Sequence, residues 1–541
     1  MADSKFIRGT LIVTLGTFFI KFLGMIYVIP LYSLIGEKGG ALYTYGYSQY
    51  LIFLSISTMG IPLAVSKFVS KYNSLGDYYT SRRLFKSAFT LMLATGVGFF
   101  LILYSLAPFI AKVSLGSEEL SNSVEDVTYV IRMVSFALIL VPVMSIIRGF
   151  FQGHQSMGPT TVSQIVEQIV RIAFLLGAAF YVLKIQDSTI TRAVGYATFA
   201  AFVGALGGLV VLIYYWFKRK KHLDDLLKTS TNTIKLPYLK LYKELLVYAI
   251  PFVFVGIAMP IYQYIDVTTF NRTMIEIGQG SEAEKQLGII NMYAQKLVMI
   301  PVSLATAMGL TLVPAITKSY TENDFDSLKS QITKTFEIIL FLTIPAVVGL
   351  SILADPAYSV FYSYSKTGSM LLAWYAPAAL GFALFSVTIS ILQGMNLQKF
   401  TMISLGLGIL TKLVLNIPLI MLLEGRGSII ATALGFGISV AYNLLIIKKR
   451  VKYSYRAVFR RFAQTSIFTL IMGMSVIFVN SFVNNYFSTE VSKGQGFVLL
   501  TIGVLVGVLV YGYLSLGSGL AGHVLGNRFN FLKKKLPAKN S

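Results

Sequence analysis

Apolar stretches long enough to cross a bilayer alternate along this chain with short polar breaks. Runs of about 20 mostly apolar residues mark membrane-spanning helices. Fourteen fall near 10–35, 41–66, 87–111, 127–149, 160–183, 193–217, 244–270, 287–316, 335–354, 369–394, 400–423, 427–447, 462–486 and 496–522. The first is too long for a signal-peptide core and lacks a small-x-small cleavage site, so it reads as a retained helix. The pattern predicts an all-α polytopic membrane protein with fourteen transmembrane helices.

The longest polar break is the basic stretch KRKKHLDDLLKTSTNTIKLPYLKLYK. It sets an N-lobe over 1–217, a basic cytoplasmic linker over 218–243 and a C-lobe over 244–450. A last helix pair and a basic cytoplasmic tail fill 451–541. The six-helix lobes look related: QGHQSMGPTTVSQIVEQIVRI from Gln152 aligns with QGMNLQKFTMISLGLGILTKL from Gln393, placing Arg171 on Lys412. A fainter echo links PLAVSKFVSKYN with TLVPAITKSYTEN. Two halves in one orientation make a parallel repeat, with a binding site expected between them. The last pair, with Gly473, Gly503, Gly507 and Gly512, reads as an accessory packing pair or as a groove for a lipid chain.

Composition agrees: 55% of residues are hydrophobic and only 13% charged, against about a quarter charged in soluble proteins. The absence of cysteine excludes disulfides and thiolate metal sites, and His154, His222 and His523, in loops or near the C-terminal end, lack metal-ligand spacing. No phosphate-binding glycine loop, Walker signature or nucleophile–base constellation is present. The chain therefore reads as no enzyme, with no cofactor, and any transport is not driven by an ATPase site of its own. The net charge of +23 concentrates in alternate loops, chiefly 67–86, 218–243, 318–334 and 448–461. That places both termini in the cytoplasm by the positive-inside rule, and acids such as Glu118, Glu119, Glu125 and Asp126 gather on the other side. The charge is thus a topology signal, not a mark of nucleic-acid binding, with attraction to anionic lipid secondary.

Eight charges fall within the spans: Lys21, Arg132, Glu167, Arg171, Asp266, Lys296, Glu337 and Lys412. Facing lipid they would together cost on the order of 20–28 kcal/mol, so they are expected to line a shared hydrated interior. Glu167 and Arg171, at i and i+4, are expected to pair. Arg132 and Glu337 lie near helix ends, where they can snorkel. Lys21, Arg171, Lys296 and Lys412 are deeper, and Lys296 alone could also snorkel or pair with a neighbouring acid. Five cations against three acids suit an anion such as a phosphate or diphosphate, which a mobile lysine can follow.

The segments KFLGMIYVIPLYSLIG (21–36) and YAQKLVMIPVSLATAMGLTLVPAITK (293–318) resemble the lipid II flippases of the MurJ type. That family belongs to the superfamily of polysaccharide exporters and multidrug antiporters. RGFFQGHQSMGPTTVSQIVEQIVRI (148–172) is similar to the low-GC Gram-positive form. The resemblance covers most of the chain and puts Lys21 and Lys296 on cavity arginines. A second helix 1 arginine of Gram-negative members falls on Tyr27, and a helix 2 arginine has no counterpart near Phe53–Ser57. Some members hold sodium between a helix 7 aspartate and an asparagine and aspartate on helix 11. Asp266 and Asn416 match two of these, and Lys412 stands where the third would be, which implies an ammonium in place of the sodium, paired with Asp266.

The expected function is movement of an undecaprenyl-diphosphate-linked peptidoglycan precursor across the cell membrane by alternating access, driven by membrane potential or an ion gradient. Lys21, Lys296, Arg171, Lys412 and Arg132 are the expected substrate cations; Asp266, Asn416 and Glu167 are the expected coupling residues, with Na⁺ or H⁺ as the coupling ion. Expected partners are the lipid-linked glycan, membrane lipids and cell-wall synthesis enzymes, around a monomeric chain. The rivals are an exporter of another lipid-linked sugar (spore-cortex or teichoic-type), an ion-coupled multidrug antiporter, and a scaffold without transport.

Overall fold

The computed structural model describes residues 16, 19–58, 60–116, 120–230, 237–484 and 492–525; the start of the first predicted run and the basic tail lie outside them. The chain divides into two compact units, Met1–Gly288 and Ile289–Ser541.

In the first unit, helical turns over 19–26 lead into α1 (Val28–Thr58), followed by α2 (Ile61–Ser74), α3 (Tyr78–Leu115), α4 (Val124–Ser135), α5 (Ala137–Gly153) and α6 (Gly158–Phe180). A π-helical turn (Tyr181–Ile185) precedes α7 (Ile190–Lys228), α8 (Tyr238–Gly256), α9 (Ala258–Glu276) and α10 (Gly280–Gly288). The second unit opens with a π-helical turn (Ile289–Ala294) and continues through α11 (Gln295–Thr321), α12 (Phe325–Ile352), α13 (Ala354–Phe361), α14 (Lys366–Tyr375) and α15 (Ala378–Gly394). It ends with α16 (Gln398–Leu423), α17 (Gly425–Val451), α18 (Arg456–Asn484), α19 (Lys493–Gly517) and α20 (Leu520–Leu525).

Eleven of the described helical segments are long and apolar enough to span a membrane, and two bent pairs bring the total to 13. One segment, Phe19–Ser74, is 56 residues long, and Gly36 interrupts it with φ +65° and ψ −168°. At 1.5 Å per residue it is far longer than one crossing, so it accounts for the first two predicted helices, consistent with fourteen.

The stretch 218–243 is not the open break that its polarity suggested. α7 stays helical to Lys228, His222 included, and α8 starts at Tyr238. The contact boundary lies instead at 288/289, so α8–α10 group with the helices before them. Buried Glu284 explains why. Its carboxylate accepts from Tyr45 Oη (3.3 Å), from the Ser121 and Asn122 amides (2.8 and 3.3 Å) and from Asn122 Nδ2 (2.8 Å). Asn271 Nδ2 donates to Tyr45 Oη (2.6 Å) and to the Ser114 carbonyl (3.2 Å), tying α9 to the same cluster.

Each unit has its own apolar core. The first centres on Phe85, Phe150, Phe151 and Trp216, with Phe85 4.4 Å from Phe150 and 5.2 Å from Trp216. The second centres on Ile316, Ile332, Phe336 and Ile391.

Local devices recur between the units. Asp77 caps α3 by accepting the Thr80 amide after Gly76 at φ +72°; Asp324 caps α12 by accepting the Ser327 amide after Asn323 at φ +56°. Gln155 (φ +55°) and Asn396 (φ +56°) end α5 and α15 with the same left-handed turn. Gly153 is seated on Val69 and the Ser66 carbonyl, and Gly394 on Ile316 and the Val313 carbonyl. A long helix breaks at Phe136 in one unit and at Ala376–Pro377 in the other.

Candidate substrate-binding and coupling residues

Arg171 reaches from α6 to α1. Its Nη2 donates to Tyr47 Oη at 2.6 Å and to Tyr43 Oη at 3.4 Å, and the charge lies 5.3 Å from the Tyr47 ring centroid. Tyr43, Tyr47 and Tyr50 recur at i, i+4 and i+7, hence on one face of α1; Tyr43 stacks on Tyr47 and Tyr50 packs against it. Tyr27, at the position matched to a family arginine, hydrogen-bonds Tyr43 in the same group. Aromatic faces and hydroxyls hold a guanidinium without cancelling its charge, so the site remains attractive to an anion.

Glu167 does not pair with Arg171. Its carboxylate meets Arg148 Nη2 at 2.6 Å, and the same guanidinium donates to Ser163 Oγ at 2.7 and 3.2 Å. Ser163 in turn donates to the Gly208 carbonyl at 3.1 Å, so α5, α6 and α7 are tied at one level. Arg148 lies inside α5, and the short turn at 154–157 folds α6 back alongside it. Arg148 and Ser163 are equidistant from that turn, a signal present in the sequence, and Glu167 lies one helical turn further along α6, within reach of the same guanidinium. Glu167 is therefore a structural ion-pair partner here.

Lys21 is solvent-accessible and shares a helix face with Gly24, which meets Gln168 of α6. Asp266 is buried on α9. Arg132 lies in a crevice with Tyr104, its guanidinium 4.9 Å from that ring.

In the second unit Lys296 is half-buried in the first turn of α11, directly after the π-helical turn, a geometry that often accompanies functional positions. Lys412 is fully buried. Its ammonium donates to Thr432 Oγ1 (2.8 Å), the Ser428 carbonyl (2.9 Å) and Ser428 Oγ (3.3 Å), all on α17. It is thus no wet cavity cation. Asn416, one turn along α16, is equally buried. Glu337 lies 3.8 Å from Arg461 and 3.5 Å from His523. A cavity of about 740 Å³ is walled by α11, α12, α18 and α19, with Pro301, Phe341, Met472, Gly503 and Gly507 among its apolar lining. Among the described residues no group of acids and histidines could hold a metal ion.

Many apolar helices in two units, with Arg171 held by tyrosine hydroxyls inside the first of them, define a multi-pass membrane protein equipped to meet an anion. The profile of the family described as "Polysaccharide biosynthesis protein" matches residues 6–320. The chain belongs to this family and, within it, groups with the lipid II flippase MurJ of Bacillus subtilis (strain 168), to which it is 49% identical over 98% of its length and 99% of the relative's. Stage V sporulation protein B of the same organism is 23% identical over 76% of this chain and 77% of its own. Among solved structures, "Lipid II flippase MurJ, inward closed conformation" superposes with a TM-score of 0.68 at 16% identity, covering 95% of this chain and 99% of that one. An inward-facing multidrug resistance MATE family transporter of the MOP superfamily gives 0.60 at 14% identity, over 80% and 98%.

Proposed function

We propose that this chain is a lipid II flippase, moving the lipid-linked peptidoglycan precursor from the inner to the outer leaflet of a bacterial cell membrane. The observation that carries the reading is near end-to-end identity at 49% with a flippase of that name. The chemistry fits it. Lys21 and Arg171 in the first unit, and Lys296 in the second, are each candidate cations for a diphosphate, which alternating access would expose to each leaflet in turn. The apolar groove of about 740 Å³ suits the polyprenyl tail. Both termini lie in the cytoplasm on this reading, and Asp266 and Asn416 are candidates for ion coupling, with sodium dispensable where the Lys412 ammonium takes its place. Cell-wall synthesis enzymes are the natural protein partners of a monomeric transporter.

The test combines depletion and reconstitution. In cells depleted of their own flippase, wild-type protein restores growth, whereas Lys21→Ala and Lys296→Ala insert normally and do not. Proteoliposomes with fluorescent lipid II then show transport by wild type alone. Failure to move lipid II, with movement of another lipid-linked glycan or efflux of cationic drugs, overturns the assignment. Because the chain has no cysteine, single introduced cysteines report which side each loop faces.

A further inference from the structure

The first unit contains a charged crevice that the transport reading leaves unused. It measures about 600 Å³ and lies beside the break at Phe136. Tyr104 of α3 and Tyr129 and Phe136 form its walls, and Glu125, Thr128 and Arg132 of α4 supply its polar groups. Positions 125, 128, 129, 132 and 136 repeat at helical spacing, so the crevice is one stripe of α4 facing α3.

Two observations point to a ligand. Thr128 is only 8% exposed, yet its Oγ1 has no hydrogen-bond partner, and buried hydroxyls are almost always satisfied. Arg132 lies 4.9 Å from the Tyr104 ring centroid; among the described residues its one hydrogen bond runs from Nε to the Tyr104 carbonyl at 3.4 Å. Both Nη groups remain available, and a guanidinium fork matches phosphate.

We propose that this crevice seats the head group of a phosphatidylethanolamine-type lipid, with phosphate on Arg132 and Thr128 and the primary amine on Glu125. Charge complementarity selects this occupant. Glu125 and Arg132 are two turns apart on one face, about 10.5 Å along the axis before their side chains close the gap. They offer one negative and one positive group in the order of a phosphate and an amine joined by two carbons. An anionic head group would leave Glu125 facing a like charge, and a quaternary ammonium cannot donate to it. Leu101, Leu106 and Phe109 of α3 are exposed beside the crevice and give acyl chains a surface. Under the topology proposed above, the seat lies in the outer leaflet.

The second unit offers a contrast. It keeps a similar crevice of about 450 Å³ at its own helix break, lined by Ser351, Ala373, Trp374 and Pro377. There Ser351 Oγ donates to the Ala373 carbonyl at 2.7 Å, and Arg426 lies over Trp374. The break makes the notch; Glu125, Thr128 and Arg132 give the first one its own chemistry.

Full-length protein titrated with phosphatidylethanolamine, phosphatidylglycerol and phosphatidylcholine of equal chain length tests this by native mass spectrometry. Wild type should retain one phosphatidylethanolamine in preference to the others. Arg132→Gln should weaken that retention roughly tenfold, the equivalent of losing about 1.4 kcal/mol from a charge-assisted bond. Glu125→Gln, at an exposed helix start, should abolish the preference over phosphatidylglycerol even if Arg132→Gln folds poorly, and Lys184→Gln should change nothing. Equal retention of the three lipids by wild type, or unchanged selectivity in Glu125→Gln, overturns the proposal without touching the transport assignment.

Discussion

The guanidinium of Arg148 closes on the carboxylate of Glu167 at 2.6 Å, and with it fixes the level at which α5, α6 and α7 meet. Both side chains are largely buried, at 11% and 21% exposure. Removing one partner from such a pair strands the other charge, at a cost of about 3–5 kcal/mol when burial is complete and less here. Arg148→Ala and Glu167→Ala should each lower the thermal midpoint of purified protein. The double variant should be less destabilised than the two losses added, with a coupling of roughly 1–3 kcal/mol. Strict additivity would mean that the two groups do not hold each other.

Gly153 and Gly394 test the repeat through packing. A Cβ on Gly153 would stand 2.6 Å from Val69 and 2.8 Å from the Ser66 carbonyl; on Gly394 it would stand 2.6 Å from Ile316 and 3.1 Å from the Val313 carbonyl. Gly153→Ala and Gly394→Ala should each cost about 1–3 kcal/mol, the range for overpacking. Gly406→Ala and Gly437→Ala, where nothing lies within 4 Å, should be neutral or stabilising by up to about 1 kcal/mol because alanine favours a helix. Thermal melts of the four variants in one detergent separate the pairs.

How far these features can be read from sequence depends on the distance over which each acts. The spans were legible because hydropathy is a sum over about 20 residues that neighbours barely alter. The repeat was legible at Gln152 and Gln393, since a left-handed turn two residues after a close-packed glycine constrains residue choice locally. For Glu167 the i,i+4 spacing points to Arg171, but the antiparallel neighbour Arg148, which only the 154–157 turn brings near, takes its carboxylate. Arg171 was free to turn to tyrosines on α1, 124 and 128 residues away in sequence. Glu284 was missed altogether: in sequence it is one acid in a polar loop, and only folding surrounds it with donors from Tyr45, Ser121 and Asn122.

Lys412 separates a structural lysine from a substrate lysine. It donates to Ser428 and Thr432, and Thr432 Oγ1 also donates to the Ser428 carbonyl at 3.0 Å, so loss of the ammonium leaves that carbonyl an acceptor bond within α17. Lys412→Met, similar in volume, should destabilise less than Lys412→Ala, which also opens a cavity and should cost about 2–5 kcal/mol. A buried ammonium at this position also makes bound sodium unnecessary, so replacing sodium by choline in proteoliposomes should leave transport unchanged. A sodium-dependent rate in wild type would refute that part of the expectation.

Voltage dependence follows from where the charges are anchored. Lys21, Arg171 and Lys296, the cations proposed for a diphosphate, belong to helices, so on that proposal they do not leave with it when it is released. The moving species is therefore anionic, and an inside-negative potential favours its outward passage by about 2.3 kcal/mol per charge per 100 mV. In proteoliposomes with a potassium-diffusion potential, the flipping rate should rise as the interior becomes more negative and fall when the potential is collapsed. If the binding cations instead crossed the field together with the phosphate, the net charge moved would approach zero and the rate would be flat with voltage. A flat response in wild type would point to a compensating ion. A response lost in Lys296→Gln, with residual transport retained, would place that lysine within the field.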